Sequence, residues 1–184
     1  MKIIFLKKIK SPAGFTVAEL LVVSAIFMII SVSALVNFRR GEQVGVLRLA
    51  TDQLASNIRE AQTKTLSGSQ QQEISAAGGF GVYFNTNQNG QYLLFRDNGD
   101  NIYDVNDDFI LETVLLPQNM TINSLTADPL SIVFQPPKPT IYINGLQEIN
   151  DASVILFSSK IDNKQGVAGL NRFTGRVTSV IQDR

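Results

Sequence analysis

The sequence predicts an α+β fold in which a long N-terminal helix, transmembrane in its first half and amphipathic in its second, packs on a C-terminal antiparallel β-sheet domain. Three observations support this prediction: an apolar run at residues 15–36, a helical spacing of apolar residues that continues to residue 66, and short β-rich segments after residue 80. Apolar residues at three- and four-residue steps, followed by short runs between turn residues, are typical of a helix followed by strands. The apolar stripe of the helix should therefore lie on one face of the sheet.

The apolar run reads FTVAELLVVSAIFMIISVSALV and contains one charged residue, Glu19. As a helix it would be about 33 Å long, which is enough to cross a hydrocarbon core of about 30 Å. Four lysines and no acidic residue precede it, at positions 2, 7, 8 and 10. Because basic flanks stay in the cytoplasm, we expect a single-pass protein of the cytoplasmic (inner) membrane with its N-terminus inside and its head outside.

The domain organisation follows from these patterns. We predict a basic leader at 1–14, a transmembrane helix at 15–38, its amphipathic continuation at 39–66, a small and polar linker at 67–79, and a β-rich globular head at 80–184. Gly41 and Gly45 each lower helix propensity by about 1 kcal/mol relative to Ala, so a bend near them, or two helices joined by a turn, remains an alternative. The predicted strands are 81–84, 92–96, 109–116, 131–135, 140–144, 153–158 and 176–181.

Composition argues against an enzyme. The chain of 184 residues has no His and no Cys, which excludes Ser-His-Asp and Cys-His catalysis, His- or Cys-ligated zinc and disulfide bonds. Basic and acidic residues number 16 each, but the leader holds four of the bases, so the rest of the chain is net acidic. A net acidic body gives no general reason to expect a polyanionic partner.

Residues 14–23, GFTVAELLVV, closely resemble the processing site of type IV pilins and type II secretion pseudopilins. The resemblance implies that prepilin peptidase cuts between Gly14 and Phe15 and methylates the new amino terminus of Phe15. It also implies that Glu19, the fifth residue of the mature chain, forms an assembly salt bridge with the terminal ammonium of a neighbouring subunit. The alternative from the residues themselves is a plain signal anchor in which Glu19 is a tolerated acid near the membrane surface.

The order of segments is also similar to the GspH/FimT type of minor pilin and pseudopilin. The residues that suggest this are Gly81-Val82-Tyr83-Phe84, Tyr92–Asp97, Leu116-Pro117 before an apolar turn at Met120–Ile122, Ile132-Val133-Phe134, and a hairpin at residues 171–177. The resemblance implies a minor or initiating subunit of a type IV pilus or a type II secretion pseudopilus. Major pilin and DNA-binding minor pilin remain alternatives.

The implied partners are prepilin peptidase, other pilin or pseudopilin subunits, an inner-membrane assembly platform, and membrane lipid before assembly. The mature protein would then lie in an extracellular or periplasmic filament.

A loop at residues 97–108 concentrates five carboxylates and is a candidate Ca²⁺ site. Oxygen ligands at this density suit Ca²⁺, which takes six to eight of them, although the spacing does not fit an EF-hand. The alternative is a solvated turn in which Asp and Asn cap their own backbone. The carboxylates are Asp97, Asp100, Asp104, Asp107 and Asp108. Apart from this structural Ca²⁺, we expect no cofactor.

Arg172 and Arg176 flank Phe173 near the C-terminus and are candidate DNA contacts. In some FimT-type proteins a Gly-Arg-x-Arg tail is associated with DNA binding. Here Gly175 and Arg176 match, but Thr178 stands where the second Arg would be. A solvated hairpin is the favoured interpretation.

Overall fold

A computed structural model describes residues 14–67, 78–137, 140–149 and 151–184. The predicted leader up to residue 13 and most of the predicted linker therefore lie outside the described residues. The chain divides into two compact units between Arg39 and Arg40. The α+β class is confirmed, with an apolar helix first and antiparallel strands after it.

The helix α1, Val17–Leu66, begins in the first unit. The stretch Val17–Leu35 is not buried and is long and apolar enough to cross a membrane. This is compatible with a single-pass membrane protein. Two serine hydroxyls within it donate hydrogen bonds to backbone carbonyls of the same helix: Ser24 to Leu21 at 2.9 Å and Ser31 to Phe27 at 2.7 Å. Such internal hydrogen bonds are what an apolar solvent requires of a polar group.

In the second unit, the remainder of α1 buries one stripe of side chains at three- and four-residue steps. The buried positions are Leu47, Ala50, Thr51, Leu54, Ala55, Ile58, Ala61 and Thr65. Thr65 is the last residue of this buried stripe. Its hydroxyl donates to the Phe134 carbonyl at 3.0 Å and accepts from the Phe80 N–H at 3.2 Å, whereas Leu66 is exposed.

The strands of the described residues form two antiparallel sheets. Sheet A has the order β3-β2-β1-β5-β6 and sheet B the order β4-β7-β8-β9. The strands of sheet A are β1 (Phe80–Phe84), β2 (Gln91–Arg96), β3 (Phe109–Leu115), β5 (Leu130–Gln135) and β6 (Thr140–Ile143). Those of sheet B are β4 (Met120–Leu125), β7 (Asp151–Ser158), β8 (Lys164–Asn171) and β9 (Arg176–Asp183). A short 3₁₀ helix, Thr86–Gln88, lies in the connection between β1 and β2.

One apolar cluster joins α1 to strands of both sheets. Two polar contacts fix the helix within it: the amide of Asn57 donates to the Tyr92 hydroxyl at 2.9 Å, and the guanidinium of Arg59 donates to the Val177 carbonyl at 2.9 Å. Both contacts tie α1 to the strands on which its buried side chains pack.

Two strands were absent from the sequence prediction, and the expected single sheet is in fact two. The segment of β4 was interpreted as an apolar turn, since its alternation is broken by a shift in register between Ile122 and Ser124. The strand β8 contains Gly166 and Gly169, which weaken a strand pattern. Gly166 is required by packing, because a Cβ there would collide with the side chain of Thr51 on α1.

Candidate functional site

The predicted cleavage point lies directly before α1. Phe15 is 87% exposed and Gly14 is exposed beside it. A Cβ added to Gly14 would meet no atom within 4 Å, and the backbone there is not in the left-handed region. The folded chain therefore gives no steric or conformational reason for glycine at this position.

A capping box closes the first turn of α1. The backbone N–H and the hydroxyl of Thr16 both donate to Glu19 Oε2 at 2.9 Å, and the Glu19 N–H donates back to the Thr16 hydroxyl at 3.2 Å. This reciprocal arrangement is the one that S/T-x-x-E sequences form at helix starts. Glu19 thus has a structural partner within its own chain. The sequence analysis did not predict this capping role, although the spacing Thr16-x-x-Glu19 is typical of a capping box.

The acidic loop connects β2 to β3 and folds over the outer face of sheet A. Tyr103 anchors it there, with its ring centroid 4.3 Å from that of Tyr83 and 5.0 Å from that of Phe95. The Tyr103 N–H also donates to the Ser131 hydroxyl at 3.1 Å. At the start of the loop, the N–H of Asp97 donates to the Gly79 carbonyl at 3.0 Å. The loop is therefore pinned to three neighbouring strands rather than projecting freely.

Carboxylates inside the loop accept hydrogen bonds from its own backbone. Asp97, only 2% exposed, accepts from the N–H groups of Gly99 at 2.9 Å and Asn101 at 3.1 Å. Asp108 accepts from Asn98 at 2.9 Å through Oδ1 and from Asp104 at 2.8 Å through Oδ2. These bonds have the form of the self-capped turn that was the alternative to a metal site.

Three of the five predicted ligands nevertheless come together. One carboxylate oxygen each from Asp97, Asp100 and Asp108 lie within 4.8 Å of one another, a spacing that ligands around one Ca²⁺ at 2.3–2.6 Å can have. Asp104 and Asp107 are not in this group, and the Oδ1 atom of Asp104 instead accepts from the Asn106 N–H at 2.8 Å. Asp97, Asp100 and Asp108 are thus the residues that could hold a cation.

Burial and the neighbouring carboxylates change the pKa of Asp97. Burial, and next the negative charge of Asp108, raise the pKa of Asp97 to about 6. Burial also raises the pKa of Asp108, against the lowering effect of its two backbone hydrogen bonds. Near neutral pH the loop therefore holds carboxylates that their surroundings disfavour as anions, and either a proton or a cation would relieve this.

The candidate DNA contacts both lie at the β8–β9 hairpin. Arg172 is already engaged, because its Nε donates to the Ile149 carbonyl at 3.1 Å and its guanidinium lies 4.5 Å from the centre of the Phe173 ring. Arg176 pairs with Asn171 across the hairpin and is exposed. Asp151 lies next to them and accepts from the Asn171 amide at 2.8 Å. Within the described part of this hairpin, one exposed arginine, Arg176, beside a carboxylate is a weak footprint for a polyanion.

Comparison of the chain with protein-family models, with curated proteins and with solved structures finds no match in any of the three. The interpretation of the site therefore depends on its own residues.

Proposed function

We propose that this chain is a prepilin-type structural subunit and not an enzyme. Prepilin peptidase cuts it between Gly14 and Phe15 and methylates Phe15, and the mature chain then leaves the membrane for a type IV pilus or a type II secretion pseudopilus. The observation that carries the proposal is Gly14: the fold makes no use of a glycine there, yet it directly precedes an exposed Phe15 and an apolar helix. A glycine at this position, directly before the apolar helix, would let a protease approach the backbone closely.

The apolar part of α1 supports the same proposal. Its large side chains are exposed, for example Phe27 at 67% and Ile29 at 68%. An exposed apolar helix of this length must be covered by lipid or by other helices. In a filament, the equivalent helices of neighbouring subunits would replace lipid around it, with the β-rich head facing outward.

The assigned cut is tested by co-expressing the full chain with a prepilin peptidase and determining its N-terminus by mass spectrometry. The wild type should begin with methylated Phe15, and Gly14→Leu should accumulate as uncut precursor. Gly41→Leu is the matched control, because a Cβ at Gly41 also meets no atom within 4 Å. Normal processing of the Gly14 variant would refute the assigned cut.

The role of Glu19 in assembly is tested by a substitution that keeps the capping box. Gln at the third helical position caps as Glu does, so Glu19→Gln preserves the start of α1 while removing the charge that would pair with a neighbour's ammonium. We expect this variant to be cleaved normally and to be lost from sheared filaments. Incorporation at the wild-type level would refute the charge pairing.

We propose a minor, initiating role on the GspH/FimT-like order of segments, with the major-pilin role as the alternative. The copy number of the mature chain in sheared filaments separates the two roles, since a trace component is a minor subunit and the dominant species is the main building block.

DNA uptake is the third candidate role. It predicts that the head shifts the mobility of DNA in a gel and that Arg176→Ala abolishes the shift. The engagement of Arg172 and the proximity of Asp151 argue against it.

A further inference from the structure

One edge of sheet A is uncovered. Among the described residues, β3 pairs with β2 and with no other strand. The other edge strands are better protected: Arg59 of α1 donates to the Val177 carbonyl of β9 at 2.9 Å, the Ile122 N–H of β4 donates to the Asn89 carbonyl at 2.8 Å, and β6 is only four residues long. An unpaired strand presents N–H and C=O groups with which another chain can pair.

The side chains of β3 make this edge apolar. The strand reads FILETVL, and Phe109, Ile110 and Leu115 are 58%, 42% and 71% exposed. Native proteins often blunt an exposed edge with a lysine, a proline or a short strand, and β3 has none of these features. An apolar edge of this length is the kind of surface that β-strand addition uses.

An apolar cleft lies beside β3, between its C-terminal end and α1. Its volume is about 310 Å³, and its lining includes Val46 and Leu49 of α1 together with Val114 and Leu115 of β3. Leu49 is 70% exposed, so the core does not need this side chain. Among the described residues, no charged side chain lines the cleft. A strand laid along β3 would place alternate side chains on the face that carries Val114, where the cleft can receive them.

A carboxylate lies beside this cleft. Glu112 is exposed and is opposite Leu94 of β2, while Val114 is opposite Tyr92. Because residues two apart share one face of a strand, Glu112 and Val114 lie on the same face. Burial, and to a lesser extent the charge of Glu112, raise the pKa of Tyr92, in keeping with this placement. The whole segment is acidic, since residues 97–117 contain six acidic residues and no Lys or Arg.

This charge decides what kind of strand fits the edge. A second copy of β3, paired antiparallel over all seven residues, would set Glu112 opposite Glu112, and like charges directly opposite each other are destabilising. A Lys or Arg opposite Glu112 would instead form a favourable cross-strand pair. The edge is therefore complementary to a basic strand and not to itself.

We infer that β3 accepts a strand from a partner protein, an extended segment in which a Lys or Arg lies between apolar residues. The backbone of the partner pairs with β3, its apolar side chains enter the cleft, and its cation lies opposite Glu112. This inference concerns the head alone and does not depend on the proposed maturation.

The experiment measures the binding of fluorescent peptides to the full-length chain in detergent micelles by anisotropy. The peptide VTVTKTV places its valines and its lysine on one face, and VTVTETV is the charge control, expected to bind up to about thirty-fold more weakly. Two further versions of VTVTKTV carry N-methyl groups, one on the threonines and the other on the valines and the lysine. Because a strand pairs through alternate residues along one edge, one N-methylated version should bind and the other should not.

Hydrogen exchange locates the bound peptide. Amides of β3 that exchange in the free chain should become protected when VTVTKTV is added, whereas those of β9 should not change. Protection of these β3 amides in the free chain, at every concentration or only at high concentration, would show that the chain itself or a second copy already covers the edge. Either result would overturn the inference.

Two variants test the residues. Leu49→Ala should weaken binding about four-fold for each methylene that the peptide covers, while Leu66→Ala, at another exposed leucine of α1, should not. Glu112→Gln should weaken the binding of VTVTKTV by up to about five-fold and strengthen that of VTVTETV. Glu148→Gln is its control, because Glu148 is exposed and follows β6 at the opposite edge of sheet A.

Equal binding of the two N-methylated peptides, or equal effects of each variant and its control, would refute strand addition at β3. None of these results bears on the cut after Gly14, which is read from the N-terminus of the chain. The strand-binding inference and the proposed function can therefore fail separately.

Discussion

Removing one charge from the acidic loop should stabilise the head at neutral pH. Asp100 shares the cluster with Asp97 and Asp108, and its Oδ1 atom accepts from the Ile102 N–H at 3.1 Å. The carbonyl oxygen of an Asn side chain can accept the same bond, so Asp100→Asn removes the charge and keeps the turn. Asp107→Asn is the matched control, since Asp107 is an exposed acid of the same loop that is not in the cluster.

The magnitude follows from the geometry. Two unit charges 4.8 Å apart repel by about 0.9 kcal/mol in a medium with the dielectric constant of water. The water value is appropriate because Asp100 itself is exposed. Asp100 faces Asp97 and Asp108, so its removal should raise the free energy of unfolding by between about 1 and 2 kcal/mol at pH 7.

The pH dependence gives a second, independent measure. The pKa of Asp97 is raised to about 6 in the folded state and is about 3.9 in an unfolded chain. Because the folded state then binds its proton more tightly, stability should increase as the pH falls from 7 to 5, by about 1.3 kcal/mol for this group. Asp100→Asn removes a negative charge near Asp97, which lowers the pKa of Asp97 and should reduce this increase.

Urea unfolding of residues 40–184 at pH 5 and pH 7, in the presence of a chelator, measures both quantities. This unit contains the whole described apolar core. If Asp100→Asn and Asp107→Asn were equally stable at pH 7, or if the pH dependence were the same in both, the repulsion argument would be refuted. Millimolar Ca²⁺ should then raise the stability of the wild type more than that of Asp100→Asn. No change with Ca²⁺ would leave the loop as a turn closed by its own hydrogen bonds.

Two further predictions concern the packing of α1 on the sheets. Tyr92→Phe removes the hydroxyl that accepts from the buried Asn57 amide, and an unsatisfied buried donor should cost about 1–3 kcal/mol in urea unfolding; an unchanged midpoint would mean that water reaches the amide. Gly166→Ala places a methyl group against Thr51 and should cost about 1–3 kcal/mol by overpacking, while Gly90→Ala, in open space, should be neutral. Equal stability of the two glycine variants would show that the helix can move away from the sheet at no cost.

The elements with a strong local period were predictable from the sequence. The buried stripe of α1 follows from apolar residues at three- and four-residue steps, and strands such as β5, with Ile132, Val133 and Phe134 in its centre, follow from β-branched and aromatic runs between turn residues. The division into two sheets was not predictable. A strand pattern indicates which face is buried but not which strand is its neighbour, and the pairing of β4 with β7 joins residues that are 29 to 38 positions apart.

The acidic loop shows the same limit for a candidate site. The sequence identified its five carboxylates, but not which of them meet. That outcome depends on Tyr103, whose ring contacts those of Tyr83 and Phe95 and holds the loop against sheet A. The burial of Asp97, and with it the raised pKa, is a consequence of this tertiary contact, and no local signal in the loop announces it.

Glu19 shows why a motif residue must be tested against the roles that folding already gives it. Within one chain its Oε2 atom accepts both donors of Thr16, so its presence at the start of an apolar helix is accounted for without any neighbour. A carboxylate has lone pairs on both oxygens, so Oε1 can accept from a neighbour's ammonium while the capping box persists.

The substitution Thr16→Val separates the capping role of Glu19 from the role of its charge, because it changes the other residue of the capping box. It removes the hydroxyl that accepts from the Glu19 N–H and should weaken the helix start by about 1 kcal/mol, but it keeps the charge of Glu19. If the charge is what assembly requires, Thr16→Val should still enter filaments and Glu19→Gln should not. If instead both variants are lost equally from sheared filaments, although both are cut after Gly14, then assembly depends on the geometry of the first helical turn, and the proposed charge pairing is wrong.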